Sequence, residues 1–355
     1  MFKMYFKKRI KGILFLVLKR WLTVYMDINN KCNIRCRMCY FSLSISQPVS
    51  IMNLTLFKKI ADQVFSKTKV LHLSCAAEPL MVKNFSEYIK IAKQYSIPVT
   101  RVVTNGLLLN EDVIKTMIES NISELRISLD GSKKETYGQI RQGSNFDKVI
   151  NNIKLLQSMK ATSGADSPRL AILCTLMRSN IEDLPELVSL AKALGADSLK
   201  TTHLIPFEGL NMMKESLINC MEKTNIILDQ ARHIAKEIDL DFECIPNFTF
   251  DEDKNTNQVF TRPYCTRPFD FMYINSEGDV VPCIMLSMKK YNVGSFEKKT
   301  FNEIWDGEAY RNIRRLFNKK LLPENCRNCA PGGSEYLKRY VFSEAKRDDI
   351  SNIKA

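Results

Sequence analysis

The stretch that decides the fold is "WLTVYMDINNKCNIRCRMCY", residues 21–40, in which a strand-like apolar run is followed by three cysteines. Cys32, Cys36 and Cys39 have the spacing C-x3-C-x2-C, and no fourth cysteine lies close to them in the sequence. A structural zinc site takes four protein ligands, so three thiolates leave one position open. Thiolates favour zinc, Cu(I) or an iron–sulfur cluster. The stretch therefore predicts a metal site that binds a further molecule.

After this stretch, short β-rich runs alternate with amphipathic helical patterns up to about residue 205. Six strands are predicted, at 21–28, 69–74, 98–104, 124–129, 169–177 and 197–205. Five helices are predicted between them, at 54–65, 85–95, 110–120, 145–159 and 181–195. Asn110 is the expected N-cap of the third helix. Such alternation favours a parallel sheet with right-handed crossovers, and we expect an α/β fold, a partial (β/α)6 barrel of the TIM type.

The alternation stops after about residue 206, and a second, smaller module is expected. It contains a predicted hairpin around "INSEGDVVPC", residues 274–283, and four further cysteines. The polar run "DEDKNTNQ", residues 251–258, marks the expected boundary between the two domains. The predicted division is a basic amphipathic segment at 1–20, the barrel at 21–210, a helical linker at 211–258, a small α+β module at 259–335 and a tail at 336–355.

Composition is that of an ordinary soluble protein, with 45% hydrophobic and 26% charged residues among 355, but the net charge of +13 is high. We favour a solvated basic surface over nucleic-acid binding, because charge alone says little about function. Residues 1–20 carry seven basic and no acidic side chains, and their apolar run Ile13–Leu18 is too short to span a bilayer. We expect a cytoplasmic protein, with contact between residues 1–20 and a membrane surface as an alternative.

The cysteine loop after the first strand of an α/β barrel resembles that of the radical S-adenosylmethionine (SAM) enzymes. The resemblance implies a [4Fe–4S] cluster on Cys32, Cys36 and Cys39, whose fourth iron binds the amino and carboxylate groups of SAM. One electron from the cluster would cleave SAM to methionine and a 5′-deoxyadenosyl radical, which abstracts hydrogen from a substrate C–H bond. A flavodoxin- or ferredoxin-type protein is the implied electron donor.

Motifs at the ends of the next three strands agree with this resemblance. They are "CAAEPL" (75–80), "TNG" (104–106) and "SLDG" (128–131). The "AAEP" part resembles the Gly-Gly-Glu-Pro motif of the family, with Ala76 and Ala77 in place of the two glycines. The implied SAM contacts are Ala77 and Glu78 for the methionyl amino group, Ser128 and Asp130 for the ribose, Arg141 for the carboxylate and Met38 for the adenine.

The second cysteine group, Cys265, Cys283, Cys326 and Cys329, has the spacing C-x17-C-x42-C-x2-C. Four thiolates suit either a zinc ion or a fully ligated [4Fe–4S] cluster, and the spacing does not decide between them. The group resembles the SPASM/Twitch auxiliary-cluster domains of radical SAM enzymes, in the shortened form with one cluster. Full ligation by the protein then implies electron transfer. The remaining cysteines, Cys75, Cys174, Cys220 and Cys244, are isolated and are read as small buried hydrophobes.

The substrate is not specified by these motifs. His203, at the end of the sixth predicted strand, is a candidate acid or base, with a satisfied core histidine as the alternative. We expect an oxidoreductase-type enzyme that oxidises or remodels a small molecule such as a sugar or aminocyclitol, as dehydrogenases of this family do in aminoglycoside pathways. Maturation of a ribosomal peptide or a protein side chain is the first alternative. A non-enzymatic binding module held together by zinc is the second.

Overall fold

The computed structural model describes residues 20–41, 48–206, 209–248, 265–286 and 288–318. The predicted basic segment before Arg20, the polar loop 251–258, the tail 336–355 and two of the cysteines, Cys326 and Cys329, lie outside the described residues. No helix in the described ranges has both the length and the apolar content needed to cross a membrane.

Twelve strands form in the described residues, and most of them belong to one sheet. Their bounds are Leu22–Met26 (β1), Arg35–Cys36 (β2), Thr68–Leu73 (β3), Val99–Thr104 (β4), Glu124–Ser128 (β5), Arg141–Gln142 (β6), Arg169–Leu176 (β7), Ser198–His203 (β8), Asp241–Glu243 (β9), Phe271–Ile274 (β10), Asp279–Val281 (β11) and Gly294–Ser295 (β12).

The α-helices in the described residues connect these strands. They are Leu54–Val64 (α1), Phe85–Lys93 (α2), Glu111–Glu119 (α3), Lys134–Ile140 (α4), Phe146–Ser163 (α5), Leu184–Ala193 (α6), Met221–Glu237 (α7), Arg267–Asp270 (α8), Met288–Tyr291 (α9), Phe301–Trp305 (α10) and Glu308–Asn318 (α11). Asn110 caps α3 as predicted, because its side chain accepts a hydrogen bond of 3.0 Å from the Val113 N–H.

The main sheet has ten strands in the order β12-β11-β10-β1-β3-β4-β5-β7-β8-β9. All neighbours from β10 to β9 pair in parallel, and only β11 and β12 are antiparallel. The six predicted strands appear as β1, β3, β4, β5, β7 and β8, in chain order and with helices between them. The predicted partial barrel is therefore confirmed.

Burial explains why these segments form strands and helices. In β1 the side chains of Leu22, Val24 and Met26 are fully buried, while the two residues between them are half-buried. This alternation places one face of the strand against the helices and the other in the barrel interior. In α1, one face supplies the buried Phe57 and Ile60, which pack in the same core as β1. The core thus lies between the sheet and its surrounding helices.

The second module continues the barrel sheet. The predicted hairpin is present as β10 and β11, in which Tyr273 pairs with Val281. Strand β10 also pairs in parallel with β1, so that Thr23 lies opposite Phe271 and Met26 opposite Ile274. Sequence periodicity does not predict this pairing, because the two strands are separated by more than two hundred residues. Helix α4 and strand β9 are further elements that the sequence did not predict.

Contacts between the module and the barrel also involve side chains at the outer end of β1. The rings of Trp21 and Trp305 lie 4.7 Å apart between centroids. The Tyr310 hydroxyl donates a hydrogen bond of 2.7 Å to the Phe271 carbonyl, and the Phe301 N–H donates to Gln63 of α1 at 2.8 Å. Because these groups are buried or half-buried, the module packs on the barrel as part of one core.

Candidate functional site

A cavity of about 310 Å³ lies at the carboxyl ends of the barrel strands. Parallel barrels carry their chemistry on this side, where the loops after successive strands meet. The cavity is lined by the cysteine loop, the loops after β3 and β4 and the ends of β5, β7 and β8. Its lining includes Cys32, Cys36, Met38, Cys39, Tyr40, Cys75, Ala77, Glu78, Asn105, Ser128, Arg141, Thr175, Thr202 and His203.

The three cysteines of the first group all reach this cavity as reduced thiols. Among the described residues, no set of three His, Cys, Asp or Glu side chains is grouped closely enough to hold a single metal ion. A [4Fe–4S] cluster instead takes one thiolate for each protein-bound iron, and its ligands are spread around the cluster. The three thiols at this cavity could each bind one iron of such a cluster.

Two of these sulfurs have an N–H group beside them. Asn105 Nδ2 lies 3.9 Å from Cys32 Sγ, and Arg141 Nη1 lies 3.7 Å from Cys36 Sγ. Burial raises the pKa of Cys36 to about 12, although the Arg141 charge acts in the opposite direction. Burial also raises the pKa of Cys32. The empty thiols thus hold their protons at neutral pH, and cluster loading must release them.

Glu78 has its carboxylate buried at the edge of the cavity. One oxygen accepts a hydrogen bond of 2.6 Å from the Thr104 hydroxyl, and the other accepts one of 2.7 Å from the Asn105 N–H. Burial raises the pKa of Glu78 to about 7, against the effect of these donors. The side chain is therefore fixed in place, and its charge is poorly solvated until a cation pairs with it.

The loop that carries Glu78 is held by a buried carboxylate that sequence reasoning missed. Asp27, directly after β1, accepts hydrogen bonds from the Cys75 N–H at 2.6 Å and the Ala76 N–H at 3.2 Å. Its second oxygen accepts from the Tyr273 hydroxyl of β10 at 2.7 Å. An acidic residue that ends an apolar strand is the signal that could have revealed it.

Cys75 corrects one expectation from the sequence. It was read as a small buried hydrophobe, but it is half-buried and lines the cavity. The reason is that the chain turns at Ser74, where φ is +85°, and carries the next residue into the cavity. Cys75 lies close enough to both Cys39 and Cys283 for their charges to affect its pKa, which burial raises. Of the other three isolated cysteines, Cys174 is buried as expected, whereas Cys220 and Cys244 are only half-buried.

Arg141 lines the cavity, and Asp130 lies behind it. Arg141 Nε is 2.7 Å from Asp130 Oδ2, and Asp130 is fully buried. Burial disfavours the guanidinium charge, but the Asp130 carboxylate outweighs this and raises the pKa of Arg141. Asp130 also accepts a hydrogen bond from the Thr175 N–H at 2.7 Å. The contact of Asp130 with the SAM ribose stays a prediction, since Asp130 lies behind Arg141 and outside the cavity lining.

Ser128 and Met38, two other predicted SAM contacts, both line the cavity. Ser128 is the last residue of β5 and is half-buried. Met38 packs against an apolar cluster formed by Ile140, Met177, Leu204 and Met212. Met38 and Leu204 thus form an apolar wall on one side of the cavity, and the Ser128 hydroxyl lies at the end of β5. The predicted contact residue Ala77 lies in the lining as well.

Only one of the three histidines lines the cavity. His203 is buried, and neither ring nitrogen has a hydrogen-bond partner among the described residues. Burial lowers the pKa of His203 to about 4, so the ring is neutral at pH 7. His72 is buried elsewhere in the barrel, 3.2 Å from Arg101, and His233 on α7 is exposed and lies 3.2 Å from Glu237. His203 is therefore the histidine available to a ligand.

The second cysteine group is described only in part. Cys265 precedes α8 and Cys283 follows β11, and both are half-buried reduced thiols. Their predicted partners Cys326 and Cys329 lie outside the described residues. The module meets the loops around the cavity through Tyr273 of β10, whose hydroxyl donates a hydrogen bond of 2.7 Å to Asp27.

Two family models match the chain. The model for the radical SAM superfamily matches residues 26–202, and that for SPASM, an iron–sulfur cluster-binding domain, matches residues 265–330. The first match contains Cys32, Cys36 and Cys39, and the second contains all four cysteines of the second group.

Several known proteins are similar over most of their length. The tungsten-containing aldehyde ferredoxin oxidoreductase cofactor-modifying protein of Pyrococcus furiosus is 24% identical over 329 residues, which covers 86% of each chain. The cysteine-type anaerobic sulfatase-maturating enzyme of Clostridium novyi is 24% identical over 327 residues, covering 84% of this chain and 83% of that one. Among solved structures, Streptococcus suis SuiB bound to S-adenosylmethionine superimposes with a TM-score of 0.66 at 17% identity, covering 89% of this chain and 74% of SuiB.

Proposed function

Because the chain belongs to the radical SAM superfamily and carries a SPASM module, we propose that it matures a peptide or protein by modifying a side chain at a C–H bond. The Clostridium novyi relative is named for maturation of a sulfatase, and SuiB has also been solved with its precursor peptide SuiA. These likenesses favour a peptide over the sugar or aminocyclitol expected from the sequence. They leave the reaction subclass to experiment.

The observation that carries the proposal is the convergence of three cysteine thiols, Glu78 and Arg141 on one cavity. The thiols supply the ligands of a cluster with one open iron. A buried carboxylate and a buried guanidinium match the ammonium and carboxylate groups of an amino acid, which is the part of SAM that an open iron would bind. Glu78 and Arg141 carry charges that are costly to bury, so their presence in this cavity is better explained by a charged ligand than by a gain in stability.

When bound, the cluster and SAM would supply a radical that abstracts hydrogen, and an auxiliary cluster on Cys265, Cys283, Cys326 and Cys329 would supply an electron acceptor. Glu78 would accept the methionyl ammonium, and Arg141 would bind its carboxylate. Asp130 would hold Arg141 in position from behind, at 2.7 Å. Ala77 would offer backbone groups beside Glu78.

Two further contacts would orient the nucleoside part of SAM. The Ser128 hydroxyl would bind the ribose, and the apolar wall at Met38 would pack on the adenine. A flat apolar surface suits an aromatic base, since both are removed from water on contact. The donor of the reducing electron would be a flavodoxin- or ferredoxin-type protein.

The cavity is suited to a side chain more than to a whole peptide. Its volume of about 310 Å³ is at the lower end of the range for small-molecule sites, and SAM would fill most of it. Tyr40 in the lining is 41% exposed, so the cavity opens to the surface there. A substrate side chain would enter at this opening while the rest of the peptide stays outside.

His203 is the proposed proton acceptor. Oxidation of a side-chain radical to a C=O, C=S or C=N group releases one electron and one proton. The neutral imidazole has a nitrogen lone pair for this proton, and no described residue uses it. A protonated carbonyl is a much stronger acid than an imidazolium, even one whose pKa has been lowered to about 4.

Activity assays without oxygen test the proposal. The reconstituted chain is incubated with SAM, dithionite and a mixture of short peptides that together present all natural side chains. A parallel reaction contains a mixture of hexoses and aminocyclitols. We expect 5′-deoxyadenosine formation to rise with the peptide mixture and a peptide to lose mass corresponding to hydrogen. The chain in which Cys32, Cys36 and Cys39 are all replaced by Ala is the control and should form no 5′-deoxyadenosine.

Two outcomes would contradict the proposal. If only the sugar and aminocyclitol mixture raised 5′-deoxyadenosine formation, the substrate would be a small molecule, as the sequence analysis expected. If a chain with an intact N-terminal cluster formed no 5′-deoxyadenosine, the hypothesis that it is a SAM-cleaving enzyme would be wrong.

A further inference from the structure

Asn105 contacts both the cysteine loop, through its side chain, and Glu78, through its backbone. Asn105 follows β4 in the "TNG" motif and is 5% exposed. Its Oδ1 accepts a hydrogen bond of 3.0 Å from the Leu107 N–H. The amide nitrogen therefore points the other way, towards Asn33 Oδ1 at 2.8 Å and Cys32 Sγ at 3.9 Å. An amide N–H is thus directed at a predicted cluster ligand.

The backbone of the same residue contacts the predicted SAM site. The Asn105 N–H donates a hydrogen bond of 2.7 Å to Glu78 Oε2. The neighbouring Thr104 hydroxyl donates to the other oxygen of Glu78 at 2.6 Å. The position of Glu78 and the donor to Cys32 are therefore set by one short loop.

We propose that Asn105 is a positioning residue that raises the reduction potential of the N-terminal cluster by donating an N–H to the Cys32 thiolate. This inference rests on the proposed function, since it requires a cluster on the first cysteine group. The sulfurs of a reduced cluster carry more negative charge than those of the oxidised cluster. A donor therefore stabilises the reduced form more, and hydrogen bonds to the sulfurs are one of the factors that set cluster potentials.

Asn105 gives a clearer test than Arg141, and its side chain can be replaced, whereas the Ile34 N–H that also bonds to Cys32 belongs to the backbone. Arg141 also lies near a ligand, at 3.7 Å from Cys36 Sγ, but its removal would leave Asp130 as a buried unpaired charge and damage the SAM site. Asn105 is neutral. Replacement by Ala removes the side-chain N–H from Cys32 without adding charge, whereas replacement by Asp keeps the size and the oxygen that accepts from Leu107 but also adds a negative charge.

The experiment measures the midpoint potential of one cluster in the full-length chain. Cys326→Ala and Cys329→Ala are introduced first, so that the second group lacks two ligands and only the N-terminal cluster titrates. After anaerobic reconstitution, a redox titration is followed by the electron paramagnetic resonance signal of the reduced cluster. For Asn105→Ala we expect the reduced-to-oxidised ratio at a fixed potential to fall about tenfold, which is about 59 mV for one electron. Asn105→Asp should shift it further in the same direction.

Asn152→Ala is the matched control. Asn152 of α5 donates a hydrogen bond of 2.7 Å to the Gly106 carbonyl, so it braces the same loop but does not contact a cysteine. Its replacement loosens the loop and should leave the potential unchanged.

Three results would overturn the inference. One is an unchanged potential in Asn105→Ala, whatever the shift in Asn105→Asp, because the added carboxylate lowers the potential by its charge alone. Another is an equal shift in Asn152→Ala, which would assign the effect to the loop as a whole. A parent chain that assembles no N-terminal cluster would overturn the proposed function together with this inference, whereas the first two results leave the proposed function standing.

Discussion

The buried carboxylate of Glu78 makes the apoprotein sensitive to pH. An unfolded glutamate titrates near 4.5, and burial raises the pKa of Glu78 to about 7 in the folded chain. Between these values the folded chain keeps a proton that the unfolded chain loses, so stability falls as the pH rises. Glu78 should lower the free energy of unfolding by about 3 kcal/mol over this pH range. Glu78→Gln should remove it, as measured by urea unfolding at pH 5 and pH 7.5.

The exposed Glu87 of α2 provides the comparison for this experiment. Glu87→Gln should leave the pH dependence of the unfolding free energy as it is in the parent chain. An identical pH dependence in the parent and in Glu78→Gln would show that Glu78 is not the titrating group.

The proton acceptor can be separated from SAM cleavage by replacing His203. Glutamine is polar and neutral but cannot take up a proton, so His203→Gln should lower the yield of modified peptide per 5′-deoxyadenosine by about a hundredfold. Cleavage of SAM itself should continue. Both products are measured in the same reaction by mass spectrometry.

His72→Gln is the control, because His72 is also buried but does not line the cavity. It should keep the parent ratio of product to 5′-deoxyadenosine. A parent-like ratio in His203→Gln would make His203 a core histidine, which is the alternative that the sequence left open.

Individual site residues were predicted unequally well from the sequence. The three cysteines, Ala77, Glu78, Ser128, Arg141 and Met38 come together at one cavity, because strand-end motifs of a parallel barrel necessarily meet on one side. Asp27 was missed as a site residue, and Cys75 and Asn105 lie in the predicted strand-end motifs but were given no role in the site. Their roles depend on which backbone N–H, sulfur or hydroxyl they approach, and such contacts between distant loops leave no spacing pattern in the chain.

At the scale of elements, the loop after β3 depends on Asp27. Asp27→Ala would leave the half-buried N–H groups of Cys75 and Ala76 without this acceptor, at a cost of about 1–3 kcal/mol. We expect a lower free energy of unfolding and also weaker SAM binding, because Glu78 is on the same loop. Urea unfolding and isothermal titration of SAM into the reconstituted chain measure the two effects.

Tyr273→Phe is the matched variant, since it removes only the hydroxyl that donates to Asp27 at 2.7 Å. It should cost about 1 kcal/mol and leave SAM affinity close to that of the parent. Equal losses of SAM affinity in the two variants would contradict the proposed role of the Asp27–loop contact.

Elements of the barrel were predicted well because short β-rich runs, several with alternating burial, lie between longer amphipathic helical patterns. The short elements were not predicted from the sequence. Helix α4 has seven residues and β9 has three, which gives too little periodicity to recognise. The pairing of β10 with β1 is a tertiary contact, so neither strand indicates it alone.

At the scale of the whole molecule, the module protects one edge of the barrel. Removing residues 265–355 would expose the side of β1 that pairs with β10 and the face of Trp21 that contacts Trp305. An exposed, flat and apolar edge strand pairs readily with other chains. We expect this truncated chain to aggregate, as measured by its soluble fraction and by light scattering.

A shorter truncation, after Asn318, is the control. It also removes Cys326 and Cys329, but it keeps every strand from β10 to β12 and helix α11. This chain should stay soluble and monodisperse, although it cannot ligate the second cluster fully. If both truncated chains are equally soluble, the pairing of β10 with β1 does not protect the barrel.

The shared sheet also restricts how such enzymes can be recombined. A C-terminal module taken from a relative would need a strand that enters in parallel beside Thr23–Met26, with its first hydrogen bonds in the same register. Exchange of modules by simple fusion at a linker would therefore give misfolded chimeras. Successful chimeras would have to keep the native β10 and place the crossover after it.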